Sequence, residues 1–595
     1  MSRYPFLNIL KNHAFPIVLT LAVLLVVSKA VVAGLGMHET FATKGNDNVM
    51  RLLTVRDWLA GQRWYDVAQY RLMPPEGVSL HWSRYVDAGI AAIVVPFSWF
   101  LPMTSAEMVA ITLWPTLILI LSLVLIGFGT LRIFGAMAAC FAVLCAVLWP
   151  VTSSMHSSAG SLDHHNIQML LMTLMSLALV WPSRPNFAGI ICGVAAALSL
   201  AIGLEGFVFI VGIGFLNMVR TGMNANSDNR KFLVSFCVML MMGSVLLWLG
   251  QTGPAARLEL MCDQLGPPAL TLVGVASVAC FVLLIVSDYT QSVVVRLGAA
   301  ALVVFVGLML VSPFLSHCLA GPYAQIPPEL QKLITSQIIE AKPLLVYVRT
   351  NTVAALVFCL PVVVALFVGA AVWFSHDKLE SAEMKAHAAL GLLIVLGFIG
   401  LPVMLVQMRA VVIPASVIPI VGGVVVARLV QSYLRSRSLN DGLIALLVAT
   451  TVVSPTVVVQ SLKPILPARE ASSEAERGDC RSYASLLTLN EASPAIILNH
   501  VNFGPALIWA THHSVLSAPY HRSTEAFMNG IVPFQLDQGA FKSYVTETKA
   551  THLLLCRGLH YQSEYVRGLA NGDEAEWLRR VPVSNEDQLL FEILR

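Results

Sequence analysis

The sequence predicts an α-helical polytopic membrane protein with a small C-terminal α/β domain outside the bilayer. Three observations carry this expectation. Of 595 residues, 57% are hydrophobic and 12% charged, whereas soluble domains carry about 25% charged residues. Runs of about twenty apolar residues recur as far as Val459, each long enough to cross a hydrocarbon core of about 30 Å. After Lys463 these runs stop, and short apolar stretches alternate with helical ones as in an α/β layer. The net charge of +3 is small for the length and points to no nucleic-acid partner. No internal repeat, zinc-type cysteine spacing, P-loop or GxGxxG stands out.

Arg3 and Lys11 precede the first apolar run, which continues to about Gly36 with no A-x-A site after it. That is longer than a secretory core, and it predicts an uncleaved first span with a cytoplasmic N-terminus. Residues 37–108 make the first external loop. Within it residues 48–59 have helical spacing, with Met50, Leu53 and Trp58 near one face and Asn46 or Asp47 as the cap. Met73-Pro74-Pro75-Glu76-Gly77 then turns the chain. Residues 88–103 are apolar but short. As a span they would put Arg132 outside; as a helix of the first loop they make 109–129 the second span and Arg132 cytoplasmic, which the positive-inside rule favours.

Further spans are expected at 135–150, 166–181, 187–202, 206–219, 232–250, 268–287, 297–313, 352–374, 388–406, 411–426 and 443–459. The cytoplasmic loops then collect Arg184, Arg220, Arg230, Lys231, Arg296, Lys378, Lys385, Arg428, Arg435 and Arg437, with Arg257, Lys332, Lys342 and Arg409 as external exceptions. About thirteen spans result. Residues 1–462 are read as the transmembrane domain, with a second long external loop at 314–350. Residues 463–595 are read as an external α/β domain, with strands at 495–499, 515–518, 551–556 and 588–594 and helices at 503–510 and 538–548. Six cysteines lie in apolar runs as small core residues. Cys262 and Cys318 fall in loops and Cys480 and Cys556 in the tail, which allows two disulfides if that side is oxidising; spacing leaves their pairing open.

With this topology three acidic stretches face outward at membrane ends. They are Gly45-Asn46-Asp47-Asn48, Asp163-His164-His165, and Gln337-Ile338-Ile339-Glu340. Asp47, Asp163, His165 and Glu340 offer hard oxygen ligands plus one imidazole, a set that suits Mn²⁺ or Mg²⁺ better than a closed zinc site. Arg409 also falls at an outer helix end, where a guanidinium can grip phosphate. Each residue has a plainer role open to it. Asp47 can be a helix cap, Asp163 and its histidines a polar loop, Glu340 a partner of Lys342, and Arg409 an interfacial cation.

The order of these motifs resembles the GT-C glycosyltransferases, closest to the catalytic subunits of bacterial and archaeal oligosaccharyltransferases. Asn46-Asp47-Asn48 followed by Val49-Met50-Arg51 is similar to the first acidic motif of that family. Gly160-Ser161-Leu162-Asp163-His164-His165 is similar to the second in its archaeal D-x-H form, and Gln337-Ile338-Ile339-Glu340 with Pro343 to the loop-five glutamate motif. The resemblance covers roughly residues 1–459. It implies a divalent metal on Asp47, Asp163 and His165, with Glu340 joining them or orienting the acceptor. It further implies Asp47 and Glu340 as catalytic groups and Arg409 on the donor's diphosphate. The implied donor is a polyprenyl-phosphate or polyprenyl-diphosphate sugar reached from the membrane lipid, at the outer face of a cell inner membrane, with the C-terminal domain periplasmic and transfer inverting the anomeric centre.

The Trp-Trp-Asp element that reads Asn-x-Ser/Thr acceptors in that family is absent from this sequence, so the acceptor stays open between glycan, lipid and protein. His81-Trp82-Ser83-Arg84 and Pro519-Tyr520-His521-Arg522, with His512-His513, lie outside the resemblance. His81, Trp82, Arg84 and His164 are candidates for sugar or phosphate contact, with structural packing as the alternative. Two other functions compete with transfer. A transporter would place charges near the midplane, where Glu205 is the one candidate acid, with a short external turn as its other place. A metal-dependent lipid-phosphate hydrolase would use water as acceptor.

Overall fold

The computed structural model describes residues 5–181, 183–319, 321, 326, 331, 342–375, 381–465 and 480–595. Among them ten helices are long and apolar enough to cross a membrane, and Leu439–Val453 and Pro455–Leu462 form a pair bent by 101°, the geometry of a broken span or a re-entrant loop. The bend falls where Pro455 cannot continue the helical hydrogen-bond ladder. Two shorter apolar helices, Ala136–Leu148 and His165–Leu179, take the third and fourth places. Fewer helices pass as spans than the thirteen expected, because two are short and the segment at 411–426 is divided among Met408–Val411, Val412–Ala415 and Ile418–Ser436, and the chain is a multi-pass membrane protein.

The elements that position the site are α1 (Pro5–Leu35), α2 (Asn46–Leu59), α3 (Arg84–Ser98), α4 (Met103–Phe134), α5 (Ala136–Leu148), α6 (His165–Leu179), α7 (Pro185–Ile202), α8 (Phe207–Met223) and α9 (Ser227–Gln251). The apolar segment at 88–103 belongs to α3, a helix of 15 residues outside the set of candidate spans. The pair α7 and α9 pack backbone to backbone. A Cβ at Gly189 or Gly193 would stand 2.5 or 2.6 Å from the carbonyl oxygens of Phe232 and Phe236, so this small-x-x-x-small face tolerates nothing larger than glycine.

The tail folds into a five-stranded mixed sheet of β1 (Ile496–Leu498), β2 (Ser514–Val515), β3 (His552–Cys556), β4 (Leu578–Val581) and β5 (Gln588–Ile593) in the order β2-β1-β3-β5-β4. The first two pairings, β1 with β2 and β1 with β3, are parallel, and β5 runs antiparallel to both β3 and β4. Leu498, Leu553, Leu555, Leu589 and Phe591 fill its core against Phe541 and Val566. β4 has no counterpart among the expected strands, and the strand expected at 515–518 is the two-residue β2.

The first loop is welded to this domain. The N–H of Met73 donates to Val515 O and that of Val515 to Arg71 O, both at 2.8 Å, so Leu72 extends the β2 edge of the sheet. Two disulfides, Cys262–Cys318 and Cys480–Cys556, pin the same layer. The remaining six cysteines are free.

A candidate metal and phosphate site

Two polar segments that are far apart in sequence lock together beneath the external layer. Gly45, at φ 112°, turns the chain into α2. Two residues into the helix, Asn48 Oδ1 accepts the backbone N–H groups of Leu162 and Asp163 at 2.8 and 2.9 Å. Gly160 makes the loop possible. Its φ is 98°, and a Cβ there would lie 2.9 Å from Lys44 Cγ. Asp163 Oδ1 then accepts the N–H of His164 at 2.7 Å, closing the entry to α6.

The Asp163 carboxylate sits between two imidazoles, 2.7 Å from His164 Nδ1 and 3.3 Å from His165 Nε2. Its ligand-type oxygen and a nitrogen from each histidine lie within 4.8 Å of one another. Burial pushes the carboxyl up, but His164 and His165 outweigh it and hold it well below the usual range. His164 Nε2 lies 2.9 Å from Glu205 Oε1, in the turn Leu204–Gly206 between α7 and α8. Of the two places open to Glu205, midplane or short turn, the chain gives it the turn at the end of a span, on this cluster. Burial pulls the His164 imidazole down, while Asp163 and Glu205 on either side raise it to about 10. Two carboxylates around one imidazole demand positive charge, which a proton or a divalent cation supplies.

Asp47 joins from α2 through Tyr520. The tyrosine hydroxyl donates to Asn46 O at 3.1 Å and also bonds the Asp47 side chain. Burial, then the nearby charges of Asp47 and Asp163, raise its pKa well above the usual value. Arg409 lies within electrostatic reach of His165, its Nε on Gln407 Oε1 at 3.1 Å. The neighbouring Met408 N–H donates to Lys342 O at 3.0 Å. Glu340 lies outside the described residues.

The donor set can be tested against a metal. Asp163 and His165 present an oxygen and a nitrogen toward each other, Glu205 reaches the same group through His164, and Asp47 stands outside that group, tied to it by way of Tyr520. The Nδ1 of His165 and Oε2 of Glu205 are buried with no hydrogen-bond partner. Buried polar atoms without partners are rare. Carboxylates with one or two imidazoles match a hard divalent ion.

The other candidates divide. Trp82 packs edge-on against Tyr520 at 5.5 Å, with the Arg51 guanidinium over its ring at 4.5 Å. It supports the tyrosine rather than facing an open surface, being 7% exposed. Arg84 is 1% exposed and packed inside. With Arg51 it grips Asp87 at 3.0 Å on each side, and its other donors meet the carbonyls of Thr54, Trp64 and Asp66. His81 lies against His521 with ring centroids 4.7 Å apart and the planes tilted, where His521 and Arg522 hold Asp263 at 2.9 and 2.8 Å. Because Arg522 takes both oxygens of Asp263, this second histidine–acid group works as a latch between the first loop, the loop after α9 and the tail. His513 is buried, bonded to Ala495 N and Leu489 O, and His512 to Ala492 O.

Three solved structures of the archaeal oligosaccharyltransferase AglB from Archaeoglobus fulgidus share this fold. One, in complex with an inhibitory peptide and a dolichol-phosphate, has a TM-score of 0.67 at 14% identity, covering 92% of this chain and 70% of that one. A second, tethered to an acceptor peptide containing the NVT sequon, has a TM-score of 0.64 at 14% identity over 92% and 69%. A third, complexed with Zn and sulfate, has a TM-score of 0.56 at 14% identity over 91% and 68%. No protein-family model and no curated protein matches the sequence.

Proposed function

We propose that this fold, shared with an archaeal oligosaccharyltransferase, carries a metal-dependent glycosyltransferase that moves a sugar or oligosaccharide from a polyprenyl-phosphate or polyprenyl-diphosphate carrier to an acceptor at the outer face of the membrane. The observation that carries the reading is the convergence of Asp163, His164, His165 and Glu205 at the ends of apolar helices, with Asp47 linked to that group through Tyr520, under a domain built on the first loop. Asp47, Asp163 and His165 hold a divalent ion such as Mn²⁺ or Mg²⁺, with Glu205 added to the set expected from sequence and Glu340 retained from sequence alone. Bound there, the ion offsets the charge developing on the phosphate leaving group.

The chain's own residues do the rest. Arg409 pairs with the phosphate from the α6 side. Asp47, held by Tyr520, orients the acceptor and takes its proton. Asn48 fixes Asp163 against the helix entry, and burial beneath the tail excludes water. A single displacement at the anomeric carbon inverts it. The inner membrane, a cytoplasmic N-terminus and a periplasmic tail belong to the same reading. Positive-inside charge and two disulfides in the external layer support it.

The test uses purified protein with radiolabelled polyprenyl-phosphate and polyprenyl-diphosphate sugars and cell-derived glycan, lipid and peptide acceptors. Metal-dependent consumption with sugar appearing on an acceptor is the expected result. Sugar released only to water would make the protein a hydrolase, and no consumption with solute flux in vesicles would make it a transporter.

A further inference from the structure

A cavity apart from the metal cluster opens where the tail meets the transmembrane domain. It holds about 180 Å³, between His38 just after α1, Arg56 in the last turn of α2, Thr104 and Glu107 at the start of α4, and Tyr483 and Trp509 of the tail. Pockets for drug-sized ligands run to about 300–1,000 Å³, so this one takes a single small ring. Arg56 stands nine residues after Asp47 on the same helix, about 14 Å along its axis. A few linked sugar units span that length.

Rings and a neutral ion pair line it together. His38 meets Tyr483 edge-on with centroids 4.2 Å apart, and Tyr483 lies 5.0 Å from Trp509. Arg56 grips Glu107 through two bonds, Nε to Oε1 at 2.8 Å and Nη2 to Oε2 at 2.7 Å. Glu107 is 3% exposed, while the Arg56 side chain keeps 34%. The Nη1 of Arg56 has only the Trp509 carbonyl, at 3.4 Å, so part of its five-donor fork is unspent. Among the described residues the Tyr483 hydroxyl and the His38 ring make no hydrogen bond. The Trp509 indole N–H is buried without a partner, which is rare. Because the ion pair cancels its own charge, the cavity offers a phosphate little attraction. A pyranose matches what remains, with hydroxyls that donate and accept and a C–H face that packs on aromatic rings.

We propose that this cavity is a glycan subsite, holding one pyranose of a sugar chain at a distance from the bond being made. The proposal rests on the functional reading above but is separable from it, because sugar binding needs no turnover. The experiment places wild type, Thr104→Trp and Tyr483→Phe in phosphatidylcholine nanodiscs, since maltoside detergents carry the same ring. Methyl pyranosides of glucose, galactose and N-acetylglucosamine are titrated by saturation-transfer NMR, with inorganic phosphate as the control. Wild type should bind at least one pyranoside and no phosphate. Thr104 is exposed, so its replacement by tryptophan fills the mouth without disturbing the core and should weaken binding at least tenfold. Tyr483→Phe should weaken it about fivefold, the worth of one hydrogen bond, with the melting midpoint of both variants unchanged. In turnover Thr104→Trp should raise KM more than it lowers kcat, for the donor if the chain is the donor's and for the acceptor if it is the acceptor's.

Absence of pyranoside binding, or equal binding by Thr104→Trp, overturns the subsite and leaves the transferase reading standing if donor is still consumed. Phosphate binding in place of sugar also overturns it, as does a KM unmoved for both substrates. Pyranoside binding that Thr104→Trp removes, in a protein that turns over no donor, would sink the transferase reading and keep the sugar site.

Discussion

Replacing Asp87 by alanine should damage the site without touching it. Asp87 is the only carboxylate between Arg51 and Arg84 in the contacts described, and the three side chains are 2%, 0% and 1% exposed. Arg51 already leaves Nε and Nη2 without partners. Removing the anion would strand two guanidinium groups in a dry layer, with only carbonyls such as Ser83 O at 3.4 Å and Thr54 O at 3.2 Å to meet them. Breaking one buried pair costs about 3–5 kcal/mol, because the surviving charge stays desolvated. At about 2.1 cal/mol/K per residue, that lowers an apparent melting midpoint by about 3 °C if the whole chain melts as one unit, and by more if the external layer melts first.

Arg51 also lies over Trp82, which supports Tyr520 and through it Asp47, so turnover should fall along with stability. The assay is tryptophan fluorescence during heating in detergent, beside donor turnover at a temperature where both proteins are folded. A triple apolar replacement, Arg51→Met with Arg84→Met and Asp87→Leu, should recover most of the midpoint, because it leaves no charge buried. An Asp87→Ala midpoint within 1 °C of wild type would mean about 1 kcal/mol or less and would refute the dry ion cluster.

Three further outcomes are expected. Asn48→Ala strands the N–H groups of Leu162 and Asp163, each costing about 1–3 kcal/mol, and donor turnover should fall at least tenfold with the fold intact by circular dichroism; unchanged turnover would show that the loop holds Asp163 without Asn48. The latch predicts a pH trend. Burial, then His521 beside it, lowers His81 to about 3, so the folded chain keeps it neutral while the unfolded chain protonates it near pH 6.5. Stability is therefore present above about 6.5 and is lost as pH falls toward 3, by about 1.4 kcal/mol per unit. Burial pushes Asp263 up, but its bonds to Arg522 and His521 hold it below the carboxylate range, adding a second loss below about pH 4. Melting midpoints of His81→Gln should change less between pH 7 and 5 than those of wild type, and parallel slopes would contradict the latch. Gly193→Leu drives a side chain into the Phe236 carbonyl and should abolish folded yield in membranes, where normal yield would show that α7 and α9 can separate.

The acids at Asp47 and Asp163 were legible in the sequence because charge at the edge of an apolar run is expensive and stands out. Asp163 and His165 were also readable as a candidate ligand pair from residue type alone, whereas His164 was legible only as a possible substrate contact. Glu205 carried half a signal, as an acid between two spans; its contact with His164 depends on α6 and α7 running antiparallel, which places the end of one beside the start of the other. Tyr520 was singled out only as part of an aromatic and basic stretch, since its bond to Asn46 crosses 474 positions. Arg84 carried two readings, packing and substrate contact, and a local signal separates them. Its partner Asp87 lies three residues on, one helical turn away, and that spacing alone favoured an internal pair over a substrate contact. β4 was invisible because Leu578-Arg579-Arg580-Val581 exposes both arginines at the sheet edge and shows no apolar run.

The most direct measurement of the central claim is Mn²⁺ binding by electron paramagnetic resonance, taken on the same preparations used for turnover of a lipid-linked sugar. Wild type should bind one tight Mn²⁺ and consume donor, Asp163→Ala should lose both, and Glu205→Gln should weaken both. Donor consumption by Asp163→Ala at the wild-type rate, with or without bound Mn²⁺, would contradict the account.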